Sequence, residues 1–550
     1  MEKTRVDNKI GFDPAIAKLI AAALGSLAIY LLAFTLPTNL FALYERDSLI
    51  GHLLQRAGLS GFLRIGFAFI SVGLLYFVGL RAARQTSSKT AWMIVLGGTV
   101  VFIIAFLFMA PLDARDIYDN IFHGRIVGVY GANPFRDLIS QFQHDPFYKY
   151  PWWKNSPSAY GPLWEMLAGV TARLSGDGIV TNILAFKILV GIFHLTSIAV
   201  VVAFLRRANP QHALFGALLL GWNPLVLYET WGNGHNDIAM IFWVLLAALL
   251  ISRKKYSLGT LSLVVGTLIK FIPVLLIPTA LLIGYRSFEN FKSRMWFILK
   301  TSFASAILIV IAYIPFWDGM ATFSIGRRMG MFTTSVPAIM YNILKPALGW
   351  SEAANVVSLG ALALLAVFTL IQTLRAQKQE SSKGFLESAF YILAFYLLVA
   401  CLWFQQWYGV WLVSLAPFVS ERSRRFALFF GFWVLTKQLI FVQLIIPAVW
   451  GKPEWIMWLE PSMAFIVVGI PLIYVFLDLR KSKRMKAAYA TYLKRVDRRR
   501  QATDARENKD APLPAAHTGT IQRIVRMFSF RYAGSNETGG RSPSRDRLFG

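Results

Sequence analysis

Apolar stretches long enough to cross the roughly 30 Å of a bilayer's hydrocarbon core recur from Ala15 to Leu477, separated by short clusters of arginine and lysine. A chain written this way folds with lipid as part of its solvent, and helices satisfy their backbone groups internally there. Composition agrees. Only 15% of the 550 residues are charged and 56% are hydrophobic, whereas a soluble globular chain carries about 25% charged residues. The first apolar run, Ala15 to Leu36, is long for a signal-peptide core and ends at Thr38-Asn39 without a small-x-small pattern, so it reads as a retained span.

The basic clusters set the topology. Arg81 to Arg84, Arg206-Arg207, Arg253 to Lys255, Arg286 to Arg294, Arg375 to Lys383 and Arg422 to Arg425 punctuate the apolar runs. Placing each in the cytosol gives about 14 paired spans with both termini inside. The spans fall at 15–37, 61–80, 91–110, 179–205, 212–229, 238–252, 257–270, 271–285, 296–316, 354–374, 386–404, 408–420, 426–449 and 462–478. The pair 257–285 is the shortest and is split by Lys270-Phe-Ile-Pro273, which predicts a broken or re-entrant hairpin. The fold class expected is all-α, a polytopic transmembrane helical bundle over residues 1–479, with 111–178 forming a long extracytoplasmic loop of short helices. Residues 480–550 change character to a basic, Pro-, Gly- and Ser-containing cytosolic tail with little apolar patterning, which anionic membrane lipid would attract.

Two function classes drop out early. A net charge of +27 would suit nucleic acid, but the basic residues sit where the positive-inside rule puts them, so no nucleic-acid partner is expected. The single cysteine, Cys401, excludes an intramolecular disulfide framework and a cysteine-based metal cluster, and its apolar neighbours make it a buried, inert thiol. There is also no Walker A loop, no His-Glu-x-x-His and no Gly-x-Ser-x-Gly.

Chemistry must then come from polar groups that lipid makes expensive or that loops hold together. Four clusters qualify, and the topology puts all four on one side. The first is Asp113, Asp116, Tyr118 and Asp119, followed by Gly131-Ala-Asn-Pro-Phe135. Sugar transfer to a hydroxyl needs a carboxylate to take its proton, and Asp116 or Asp113 could supply it; capping of the next helix is the competing role. Oxygen ligands at Asp113 and Asp116 would also suit a divalent metal, Mg²⁺ or Mn²⁺, although nothing in the spacing demands one. The second is the aromatic stretch from Tyr148 to Trp164, including Tyr160, which suits sugar C–H faces or an ordinary interfacial belt. The third is Trp231-Gly-Asn-Gly-His235-Asn236-Asp237, a turn and helix N-cap that has no need of a histidine. The fourth pairs Lys270, a cation for a phosphate leaving group or a snorkelling anchor, with Gln405-Gln406-Trp407-Tyr408. Lys437 lies in mid-span, facing a groove or pairing with an acid.

In this order the clusters resemble the hallmarks of GT-C glycosyltransferases: Arg115-Asp116-Ile-Tyr118, Gly131 to Phe135, Tyr160-Gly-Pro-Leu163, Asn223-Pro-Leu-Val-Leu227, Gly234 to Asp237, Lys270 and Gln406 to Tyr408. The nearest likeness is to bacterial polyprenol-phosphate-mannose-dependent α-mannosyltransferases, over about residues 91–450. The resemblance implies an inverting transfer from a polyprenyl-phosphate sugar, with mannose named by resemblance alone, to a glycan or glycolipid acceptor at the extracytoplasmic face of the cell membrane. It makes Asp116 the general base and puts Lys270 on the donor phosphate. His235, Asn236 and Asp237 would line the site, with Tyr118 and Tyr160 beside it, and Trp407 and Tyr408 would shape the groove. Two departures stand: the acids lack Asp-x-Asp spacing, and Gln406 occupies a place where proline is frequent. The rival class is a transporter or flippase of lipid-linked saccharides, which should show paired repeats and midplane charges.

Overall fold

The computed structural model describes residues 13–45, 58–112, 115–319, 322, 331–379, 381–437, 439–440, 461–481 and 496. Asp113, the end of the expected span 426–449 beyond Ile440, and the tail from 482, except Val496, lie outside them. The chain forms two units, Met1–Leu472 and Ile473–Gly550. In the second, the described residues up to Lys481 are helical. All of the candidate site residues lie in the first.

Among the described residues the protein is helical, without a β-strand. Eight of the described helices are long and apolar enough to cross a membrane: Pro14–Thr35, Leu59–Ala83, Lys89–Leu107, Ile179–Ala208, Phe291–Phe316, Trp350–Ala376, Ser381–Ala400 and Pro461–Lys481. The protein is thus an all-α polytopic membrane protein. The other expected spans appear as shorter or interrupted pieces. Residues 212–229 become Ala213–Gly221 and Pro224–Leu227, broken where Asn223 accepts hydrogen bonds from the Leu225 and Val226 amides. A π-helical turn, Tyr228–Gly232, follows. The 257–285 pair is broken as its sequence predicts: Tyr256–Thr267 ends before Lys270, a 3-10 turn spans Ile272–Leu276, and Ile277–Arg286 resumes.

The long helices are apolar all round because both faces need apolar partners. Along Leu59–Ala83, Leu63, Phe67, Ile70 and Leu74 form an exposed stripe at helical spacing, while Ile65, Phe69, Val72 and Tyr76 are buried against protein. At the other extreme, 72% of the apolar window of Ser381–Ala400 is inside the bundle.

The expected loop of short helices is a packed layer. Asp116–Gly128 crosses Pro162–Ser175 with backbones in contact: a Cβ on Gly128 would stand 2.0 Å from the Gly169 carbonyl oxygen, so no larger residue fits there. Between the two helices the chain turns at Gly131 with φ +63°. The buried Arg125 guanidinium donates to Asp145 and Asp177, each at 2.8 Å, and fixes the intervening segment. Four hydrogen bonds seat the layer on helix ends. Asn133 Nδ2 donates to the Phe316 carbonyl at 2.8 Å. The Gly161 and Leu163 amides donate to Ile269 (2.9 Å) and Leu268 (3.0 Å). Asn233 Oδ1 accepts from the Leu112 amide at 3.0 Å.

A buried lysine also belongs to this scaffold. Lys187 is fully enclosed, and its ammonium donates to the carbonyls of Phe106, Leu107 and Met109 at the C-terminal end of Lys89–Leu107. Helix C-terminal carbonyls lack intrahelical partners and carry negative partial charge, so a cation is favoured there.

Candidate functional site

The site forms where the loop layer meets two breaks in the bundle. Asp116 opens its helix: Arg115 is the N-cap, so the carboxylate lies in the first turn, where the helix dipole favours negative charge. Asp116 and Arg115 are partly exposed, and the next four residues are buried. Asp119, one turn on, does not share that exposure. Its Oδ1 accepts from the amides of Trp152 (3.1 Å) and Trp153 (2.9 Å), so it holds the aromatic loop. Asp119 is therefore turned toward protein while Asp116 stays partly open, because a helix face can point at protein as readily as at solvent. Tyr118 likewise faces inward, stacked on Tyr150 (5.6 Å between centroids) and hydrogen-bonded to the Tyr44 hydroxyl.

The turn Asn233 to Asp237 packs directly against this helix. Gly234 has φ +75°, and a Cβ there would stand 2.5 Å from the Ile117 side chain, so the turn needs glycine twice over. His235 is buried. Its Nδ1 lies 2.9 Å from Glu229 Oε2 on the π turn, and its ring stacks on Trp407 at 3.9 Å and 16°. Asn233 Nδ2 donates to the same Glu229 oxygen at 3.1 Å. Burial alone would lower the His235 pKa. The Glu229 hydrogen bond and the charges of Glu229, Asp116 and Asp237 outweigh it and raise the pKa above the ordinary value. Asp116 and Asp237 are thus near enough to the imidazole to act on it.

Asn236 is the N-cap of Asp237–Ser252 but makes no side-chain capping bond. Asp237 Oδ1 instead takes the Lys270 ammonium at 2.8 Å and the Trp411 indole N–H at 2.6 Å. Lys270 stands over Tyr408 at 4.8 Å, with Tyr160 and Trp411 each at 5.8 Å. An ammonium has three donors, and with its side chain 14% exposed Lys270 keeps contact with the open side while anchored to Asp237. Trp407 and Tyr408 lie on the 3-10 turn Gln406–Tyr408, where Gln406 is buried.

The structure thus brings His235, Asp237, Lys270, Tyr160, Trp407 and Tyr408 into one contact network, with Asp116 acting on His235. It places Tyr118 and Asp119 behind it as supports. Among the described residues no group of three His, Cys, Asp or Glu could hold a metal ion; the expected ligand Asp113 lies outside them. Three members escaped the sequence reading. Glu229 sits at the end of an expected span, where an ionisable group is itself a signal. Trp411 follows Tyr408 at i+3, the spacing of one helix face. Asn233 reads as a turn residue, yet it bridges Glu229 and Leu112.

Residues 20–286 match the family described as Alpha-(1->6)-mannopyranosyltransferase, N-terminal domain. The chain resembles the GT-C membrane mannosyltransferases. Alpha-(1->6)-mannopyranosyltransferase A of Corynebacterium glutamicum is 24% identical over 221 residues, which is 38% of this chain and 43% of that protein. Alpha-(1->6)-mannopyranosyltransferase B of the same organism is 24% identical over 229 residues, 39% of this chain and 36% of that protein. The match spans less than half the length of either relative. No solved structure matches. The mannosyltransferase match takes in Asp116, Glu229, His235, Asp237 and Lys270, and stops before the turn that carries Trp407 and Tyr408.

Proposed function

We propose that the protein is an inverting mannosyltransferase that moves mannose from a polyprenyl-phosphate donor to a glycan or glycolipid acceptor at the extracytoplasmic face of the membrane. An alpha-(1->6) product, the linkage in the relatives' names, is part of the same proposal. Asp116 takes the proton from the acceptor hydroxyl as its oxygen attacks the anomeric carbon. The bond from that carbon to the phosphate oxygen breaks, and the polyprenyl phosphate leaves with one more negative charge than the donor carried. Lys270, kept in place by Asp237, meets that charge, with the His235 ring nearby. Rings at Tyr160, Trp407 and Tyr408 offer faces to the sugar and to the start of the lipid.

The observation that carries this reading is a concentration of buried polar atoms lacking hydrogen-bond partners at residues 229–237. Glu229 Oε1, His235 Nε2, both amide atoms of Asn236 and Asp237 Oδ2 are all of this kind, as is Arg115 Nε beside Asp116. Each such atom costs about 1–3 kcal/mol, and a polyhydroxylated, phosphate-bearing ligand would satisfy them together. A transporter of lipid-linked saccharides would also need polar groups. Transport does not require a general base, and a carboxylate at the helix start beside His235 has that role in sugar transfer.

The test is sugar transfer from labelled polyprenyl-phosphate-mannose in membranes matched for protein level. Asp116→Asn is nearly isosteric and cannot take a proton, so it should abolish transfer while sparing insertion and donor binding. Wild-type transfer by Asp116→Asn overturns the base assignment. Wild-type protein that moves the donor across the bilayer without transferring sugar overturns the enzyme reading.

A further inference from the structure

Lys437 is a buried lysine on the ring-bearing side of the site that the proposed reaction leaves unused. It is 6% exposed, and its ammonium donates to Gln405 Oε1 at 2.6 Å and to the Phe404 carbonyl at 3.2 Å. The same segment is also tied down through Thr333 and Ser335. The Thr333 amide donates to the Leu402 carbonyl (3.1 Å), the Phe404 amide donates to the Thr333 carbonyl (3.0 Å), and Ser335 Oγ donates to the Leu402 carbonyl (3.0 Å). Directly after this clamped stretch come Trp407, stacked on His235, and Tyr408, beneath Lys270.

Resting on the function proposed above, we infer that Lys437 is a positioning residue: by holding residues 404–405 from behind, it sets the two rings that close the donor site. A buried ammonium is costly to desolvate, and two acceptors on one loop fix that loop's distance from the helical segment that carries the lysine. The Phe404 acceptor is a main-chain carbonyl and cannot move without dragging the turn Gln406–Tyr408 with it. The lysine therefore acts on the donor through Trp407 and Tyr408.

Cys401 gives a direct readout of the clamp. It is the chain's one cysteine, 1% exposed, at the start of the same loop, with its thiol donating to the Trp403 carbonyl at 3.2 Å. The experiment compares full-length wild type, Lys437→Met, Lys437→Arg and Gln405→Ala in membranes. Maleimide labelling of Cys401 and the donor KM and kcat for transfer from polyprenyl-phosphate-mannose are measured together. Lys437→Met should speed labelling and raise donor KM by about tenfold each, the worth of one charge-assisted hydrogen bond, with kcat less affected. Lys437→Arg should restore most of both, and Gln405→Ala should shift both in the same direction, which keeps the inference testable if Lys437→Met fails to fold. Unchanged labelling overturns the clamp. Faster labelling with wild-type KM and kcat overturns the positioning role. A wild type that labels slowly but transfers nothing sinks the proposed function, and the labelling ratio still decides whether Lys437 holds the loop.

Discussion

Residues 20–286 and the segment from 401 to 437 build the site in different ways. The first brings the charges that act on one another: Asp116, Glu229, His235, Asp237 and Lys270. The second brings rings, Trp407, Tyr408 and Trp411, with Lys437 behind them. Charge appears where helices break, at the π turn Tyr228–Gly232, the Gly234 turn and the interruption after Thr267, because an irregular backbone already lines a polar space there. Rings appear on and just after a turn whose preceding segment is held by Thr333, Ser335 and Lys437, because a large flat surface works only if its angle is fixed. The family match covers the charges and stops short of Trp407, Tyr408 and Trp411. The expectation is a division of labour in which the first region sets turnover and the second sets donor affinity.

Lys270→Met attacks the division at its strongest point. It keeps an apolar stem and removes the charge that would meet the leaving phosphate, so kcat should fall by about two to three orders of magnitude, as for other removed electrostatic stabilisers. Lys270→Arg should keep part of the activity. Donor titration in matched membranes measures it. Wild-type kcat in Lys270→Met would make the residue an anchor for Asp237 and the aromatic cluster, and charge would no longer separate the two regions.

A smaller effect sharpens the other side. Trp407→Ala removes the ring stacked on His235, an interaction worth about 0.5–1.5 kcal/mol beyond burial. Donor KM should rise by roughly threefold to tenfold, with kcat within about twofold of wild type. A collapse of kcat with unchanged KM would show that the ring acts on the chemistry through His235.

Much of this was legible in the sequence, for reasons that also explain the gaps. Hydropathy finds Ile179–Ala208 or Trp350–Ala376 because lipid demands a long apolar run, and Lys270 stands out because it interrupts one. The same averaging hides Lys187 and Glu229, each a single charge in an apolar window, although one holds the end of Lys89–Leu107 and the other holds His235. Asp116 and Asp119 look equivalent at i, i+3. Only the fold of residues 139–153 turns one inward to the Trp152 and Trp153 amides and leaves the other partly open. Lys437 reads as a midspan charge awaiting an acid or a groove. Its partners on the 401–408 loop are a main-chain carbonyl and a side-chain amide, which no pattern within one helix can announce.

The smallest expected effect is a slope, and it tests whether the charges of the first region act as one group. Burial disfavours the charged His235 ring, but the Glu229 hydrogen bond and the charges of Glu229, Asp116 and Asp237 raise its pKa. A folded-state pKa above the unfolded value contributes stability that is fully present below the unfolded value, about 6.5, and is lost as pH rises through the raised one. The thermal midpoint of wild type should therefore exceed that of His235→Gln by more at about pH 6 than at about pH 9. His235→Gln also loses the stacking on Trp407, and the part of that loss that varies with pH is itself a cation–π effect of the charged ring, so the slope still reports on charge. Asp116→Asn removes one of the carboxylates that raise the pKa, and the decline should then begin at lower pH. A flat difference would mean that the imidazole is neutral throughout. A slope that ignores Asp116→Asn would mean that the proposed base and the Glu229–His235 pair are electrostatically separate, and the charged half of the comparison would split in two.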